Sequence, residues 1–171
     1  MAITAYNTQA DQKIERKFLI TAVNVGTTAA PEWEVVGRGI DDSSIEYNLE
    51  VNAAKDILGY NETDVDSAAP TQKFEKYKLR SDSKLCTKLD DIMQRNALSE
   101  LSLFEVLIVR GYVGEAGSYN AEKHTSCTIT PETLGGSSYI TTDITIYFSN
   151  NKTIGTADKL EKGLEFTASV A

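Results

Sequence analysis

Cysteine and histidine are scarce in this chain, with two cysteines and one histidine among 171 residues. Cys86 and Cys127 have no neighbouring ligand pair, which excludes a zinc knuckle or a Cys-x-x-Cys redox motif and leaves buried free thiols as the expectation. The one histidine, His124, stands in Lys-His-Thr with no Gly-x-Ser-x-Gly elbow or cysteine environment around it. It is therefore expected as an exposed or satisfied side chain, and no catalytic residue is assigned. Basic residues are also in deficit, 17 Lys and Arg against 25 Asp and Glu, and the net charge of −8 disfavours nucleic acid or anionic membranes as partners through bulk electrostatics. Long apolar runs are missing. Leu103 to Val109 is short and interrupted by Glu105, and Met1 to Phe18 holds no apolar signal-peptide core, so synthesis in the cytoplasm and no membrane binding are expected.

What is present is concentrated between Asp41 and Asp66. Asp41, Asp42, Glu46, Glu50, Asp56, Glu62, Asp64 and Asp66 face the single base Lys55, so this segment holds seven of the eight net negative charges. From Ile45 to Val51 the residues alternate, with Ile45, Tyr47, Leu49 and Val51 on one side and Glu46, Asn48 and Glu50 on the other. One side asks for a core and the other repels polyanions. Neither Asp41-Asp42 nor Asp64-Val65-Asp66 has the spaced oxygen ligands of a calcium loop, and no lysine-serine or helix start follows Gly37-Arg38-Gly39, so no metal and no cofactor is expected.

The rest reads as strands and one helix. Gln12 to Val23, Trp33 to Val36, the acidic pair, an edge segment at Gln72 to Leu79, Leu101 to Tyr112, Glu122 to Thr130, Tyr139 to Phe148 and Leu164 to Val170 carry strand patterns. Asn24 to Pro31, Asn61 to Pro70 and Gly111 to Asn120 read as long loops. Leu101 to Tyr112 is apolar on both parities, which predicts a strand covered on both faces. Ser83 to Asn96 places Leu85, Leu89, Ile92 and Met93 on one helical stripe, with Ser83 or Ser81 as its cap. The expected plan is a single domain over 1–171, mainly β or α+β, built as a sandwich or half-barrel flanked by one helix.

The order of features carries a resemblance. Glu32-Trp33-Glu34-Val35-Val36-Gly37-Arg38-Gly39-Ile40, then Ile45-Glu46-Tyr47-Asn48, then Lys55-Asp56-Ile57-Leu58-Gly59 with Glu62-Thr63-Asp64-Val65, a break at Pro70, and the helix with Leu85 and Leu89-Asp90-Asp91-Ile92 resemble tail tube proteins of long-tailed bacteriophages. The resemblance spans about Ile14 to Val109, and the C-terminal strands conform by pattern only. It implies a subunit that forms hexameric rings stacked into a tail tube, with the inner sheets joined into one barrel. Its implied partners are further copies of itself, the tape measure protein, tail terminator and distal tail proteins, and DNA that passes without specific binding. Glu46, Asn48 and Glu50, with Asp56, Glu62 and Asp64, would then line the lumen. The secreted tube protein of type VI secretion systems, or the tube of a contractile injection system, is the nearest alternative. A carbohydrate-binding sandwich or an enzyme using His124 represents other classes.

Overall fold

The computed structural model describes Asp11 and residues 13–170. Its spine is β7 (Phe104–Glu115), buried on both faces as its apolar residues at both parities demand. Val106 and Ile108 enter one core, and Leu107 and Val109 enter a second on the opposite face. Around this spine run β1 (Leu19–Asn24), β2 (Trp33–Val36), β3 (Ile45–Glu46), β6 (Thr71–Lys78), β8 (Ser118–Pro131), β9 (Thr141–Tyr147), β10 (Lys152–Ala157) and β11 (Phe166–Ala168). They form an antiparallel nine-stranded sheet in the order β2-β1-β7-β8-β9-β6-β3, from which β10 and β11 branch at β8.

The branch explains the curl. One edge of β8 pairs with β7, while the other pairs first with β10 over Tyr119–His124 and then with β9 over Thr128–Pro131. Between these two pairings Ser126 takes a positive φ of 56°, and the β7–β8 register shifts between Phe104 and Val106. Such bulges bend a strand and increase its twist. The result is a mainly β half-barrel flanked by one helix, α1 (Lys84–Gln94).

The concave side holds the larger core, in which Leu85, Leu89 and Ile92 of α1 meet Phe74, Phe104, Ile129, Ile144 and Ile146. Met93, the fourth residue of the expected stripe, sits at its margin and is 44% exposed. The helix starts where it does because its first amides are taken. The Ser83 hydroxyl accepts from the Cys86 amide and donates to Glu34 Oε1 at 2.6 Å, and Glu34 Oε2 accepts from the amides of Lys84 and Leu85. A carboxylate from β2 therefore stands at the positive end of the helix dipole. Cys86 and Cys127 are buried and unpaired in this core.

Several expected boundaries move. The strand expected from Gln12 begins at Leu19, after a 3-10 turn at Arg16–Phe18, and Gln12 itself lies outside the described residues. The Gln72–Leu79 segment pairs with β9 on one side, while on the other β3 reaches only Thr71 and Gln72, so beyond Gln72 it is an edge among the described residues. Asn61–Ala68 is the second strand of the expected acidic pair rather than part of the loop also expected there, and most of Gly111–Asn120 is strand rather than loop. The Asn24–Pro31 connection is a loop clasped by the Asn24 side chain, which accepts from the amides of Gly26 and Glu32 and donates to Glu105 Oε2. β10 has no counterpart among the expected strands. The last strand is short, with Leu164 buried ahead of it and Val170 fully exposed behind it.

Candidate functional site

The Ile45–Val51 alternation does not form one strand. Ile45 pairs with Gln72 and packs against the main core, but Asn48 takes the left-handed conformation at φ 49° and resets the chain. Its amide nitrogen donates to the Ala69 carbonyl at 2.9 Å and to Thr71 Oγ1 at 3.2 Å. Asparagine tolerates this conformation because its short polar side chain bonds locally. On either side of this bend Tyr47, Leu49 and Val51 are exposed, so the expectation that they face the chain's own core together with Ile45 is corrected.

From the bend projects a two-stranded arm, β4 (Leu49–Lys55) paired with β5 (Asn61–Ala68), hydrogen-bonded to no other strand among the described residues. A bulge opposite the Glu50–Val51 step leaves Asp66 without a partner in the register. At the tip the Asp56 carboxylate accepts from the amides of Leu58 and Tyr60 at 2.8 and 2.9 Å, and Gly59 supplies a positive φ of 83°. Nearly every arm residue is exposed, including Leu49, Val51, Ile57, Leu58, Tyr60 and Val65. Covering each of these fully is worth roughly 1–2 kcal/mol, and an isolated two-stranded ribbon is marginal in water.

The pairing Ala54–Glu62 and Asn52–Asp64, with Glu50 opposite Ser67, puts Glu50, Glu62 and Asp64 on one side of the arm. Val51, Val65 and Leu49 share the other. Of the residues expected to act together, the structure thus gathers Glu50, Glu62 and Asp64. Glu46 stays in β3 at the root, Asn48 forms the bend, and Asp56 is engaged in the tip turn.

The half-barrel also ends in open edges, at β2 and β3 on the main strand order and at β11 on the side branch. Among the described residues β2 pairs only with β1, and β3 contributes just two residues beside β6. Along the outer edge of β2 lies an open groove of about 840 Å³ whose lining mixes aliphatic residues with Arg16, Lys17, Glu32, Arg38 and Lys84.

His124 is buried at 4% exposure, with Nε2 3.2 Å from Glu122 Oε1 and Nδ1 2.9 Å from the Ser149 carbonyl. Arg110 binds the second Glu122 oxygen at 3.2 Å, and Lys152 lies 3.8 Å from it. The hydrogen bond from His124 is the largest cause that holds the Glu122 carboxyl down to about 2, against burial, with Arg110 adding to it. Both ring nitrogens of His124 are engaged inside the sheet rather than presented to a cleft. Sequence reasoning missed this cluster because Arg110, Glu122 and Lys152 meet only through the β7–β8–β10 register.

No protein-family model matches the sequence, and no curated protein matches it. Among solved structures the chain is similar to the tube-terminating cap of the anti-feeding prophage, at 18% identity over 92% of this chain and 100% of that one, with a TM-score of 0.50. It is also similar to the sheath/tube terminator of an extracellular contractile injection system, PVC, at 11% identity over 85% and 99% of the two chains, with a TM-score of 0.53. At such identities the likeness establishes the fold, and a fold hosts more than one function. The chain has the fold found in these structural components of phage-like injection machines.

Proposed function

We propose that the chain is a non-catalytic structural subunit, acting as one tail-tube domain over residues 1–171, that assembles into hexameric rings stacked as a tail tube. The observation that carries this reading is the arm, which projects from a half-barrel with open edges and displays aliphatic side chains that its own chain leaves uncovered. Joining the open edges of neighbouring copies would close the half-barrels into a continuous barrel and remove exposed strands. In such a ring Glu50, Glu62 and Asp64, with Glu46 and Asn48 at the root, would face the lumen as an acidic lining. It would repel phosphates within about 8 Å of the wall at physiological salt. The tube would enclose a tape measure protein, adjoin terminator and distal tail proteins, and let DNA pass without specific binding. Its place would be the tail of the particle, after synthesis in the host cytoplasm.

A second reading is favoured by the likeness to the prophage cap and the PVC terminator, both of which terminate a tube: the chain would form a single ring capping the tube of a contractile injection system. Negative-stain microscopy of the concentrated full-length chain separates the two. Stacked tubes support the tail-tube reading and single rings the terminator reading. A chain that remains monomeric at all concentrations overturns both.

A further inference from the structure

A second groove, of about 260 Å³, opens between α1 and the turn after β8, with Leu79, Leu89 and Cys86 on its walls and Met93 and Leu134 on its rim. Met93 and Leu134 are 44% and 66% exposed, so the rim is apolar and open to water. On its lining lies one polar side chain that the fold leaves unsatisfied, since Thr142 is 5% exposed and its Oγ1 has no hydrogen-bond partner among the described residues. A buried hydroxyl without a partner is costly, and a ligand that brings an acceptor relieves that cost. The rim carries two acids. Glu132 is already engaged by Lys73 and Thr145, whereas the exposed Asp90 enters none of the ion pairs among the described residues.

The tip of the arm has the complementary set. Ile57 is 102% exposed and Leu58 stands beside it, two branched aliphatic side chains on a scale suited to such a groove. The turn's own demands are met by Asp56, while the carbonyls of Ile57 and Leu58 accept no backbone bond among the described residues and are available as acceptors. Beside the tip stands Lys55, the one base between Asp41 and Asp66, exposed and in no ion pair among the described residues. The larger groove along β2 is a poorer match, because its charged lining would be desolvated against aliphatic groups.

We infer that the Ile57–Leu58 tip of one copy seats in the groove between Leu89, Met93 and Leu134 of a second copy, with a tip carbonyl on the Thr142 hydroxyl and Lys55 against Asp90. This deepens the proposed self-assembly and rests on it. Tip and groove are different surfaces, so the contact is heterologous and propagates from copy to copy rather than ending at a pair. It also assigns the arm two tasks, anchoring at its tip and lining at its middle.

The test uses full-length chains carrying Cys86→Ser and Cys127→Ser, so that only introduced thiols react. One chain bears Leu58→Cys and the other Leu134→Cys, mixed in equal amounts and oxidised under assembling conditions. The expected product is a disulfide-linked pair containing one chain of each kind. In the wild-type background Leu58→Asp should raise the concentration for half-assembly at least tenfold, with the thermal unfolding of the monomer unchanged because the side chain is exposed. Lys55→Glu should weaken assembly, and Lys55→Glu combined with Asp90→Lys should restore it. If assemblies form without the 58–134 link and are indifferent to Leu58→Asp, the tip contact is wrong and self-assembly stands. If the wild-type chain never assembles, both fail.

Discussion

Asn48 reaches across the root of the arm to the Ala69 carbonyl, 2.9 Å from its side-chain nitrogen, while the Ala69 amide donates back to the Tyr47 carbonyl at 3.1 Å. Two reciprocal bonds therefore fix the direction in which the arm leaves the half-barrel. Asn48→Val would force a β-branched residue into the left-handed region, at about 1–2 kcal/mol, and remove the amide bonds as well. Since the arm is exposed, this strain can be relieved by releasing its angle. The expected outcome is faster amide exchange at Leu49 and Ala69 with assembly lost, but little change in the monomer's melting temperature. Asn48→Gly keeps the conformation and should lie between the two. Equal assembly by Asn48→Val and wild type would show that the arm's direction is not fixed here.

The helix stripe predicts a gradient of damage along consecutive residues. Leu89 and Ile92 are almost wholly buried, so Leu89→Asp or Ile92→Asp places an unpaired charge in the main core and should prevent folding, judged by circular dichroism and soluble yield. Met93→Asp falls at the exposed margin and should keep the fold, at a cost within about 1 kcal/mol. Equal damage at 92 and 93 would contradict the helix placement.

Glu122 predicts a dependence on acid. Its folded value of about 2 lies below the ordinary range of about 4.3, so its ionisation stabilises the fold fully above that range, and the contribution fades as pH falls from about 4 towards 2. Glu122→Gln should lose on the order of 3 kcal/mol at pH 7, leaving Arg110 and His124 without their shared anion. Urea unfolding at pH 7 and at pH 3 should show the gap between wild type and variant narrowing at the lower pH. A gap that holds constant would mean that the carboxylate's charge contributes nothing.

Reversing the arm's charge separates folding from transport. Glu50→Lys with Glu62→Lys and Asp64→Lys alters only exposed positions on one side of β4 and β5, so assembly should persist. If that side faces the lumen, phosphates would find cations along the channel, and DNA retention should appear at 50 mM salt and fall about tenfold or more by 200 mM. DNA delivery by particles carrying the variant at the wild-type rate would refute the lining.

The sequence showed the helix, the doubly covered β7 and the Trp33, Thr141 and Leu164 regions because each has a periodicity of its own. It hid β10, whose Ile154 is exposed and whose Gly155 is there because a Cβ would strike the Thr167 carbonyl and the Phe166 ring, a demand set by β11 rather than by its own neighbours. It placed β6 at an edge because Glu75 and Lys76 read as solvent-facing, and beyond Gln72 one side of β6 pairs with no strand among the described residues. The positive φ of Lys76 and the register shift between Phe74 and Tyr77 turn those charges outward while Gln72, Phe74 and Tyr77 stay buried. The arm's acids were legible as a cluster, but their break from Ile45 was not, since a left-handed Asn48 leaves alternation in the letters intact while ending it in space.

The two ends of the main strand order are unlike, four residues of β2 at one and two of β3 at the other, while β11 ends the side branch. A cycle closed through them hides both at once, whereas an arc one subunit short still exposes both, whatever its size. In the proposed ring each junction would hide one β2 and one β3, so the exposed ends per subunit would fall as an arc grows, yet one of each would stay open until the last addition. Only closure would then remove that last pair, and a ring left one subunit short would keep the same two edges open to stray strand pairing as a single chain.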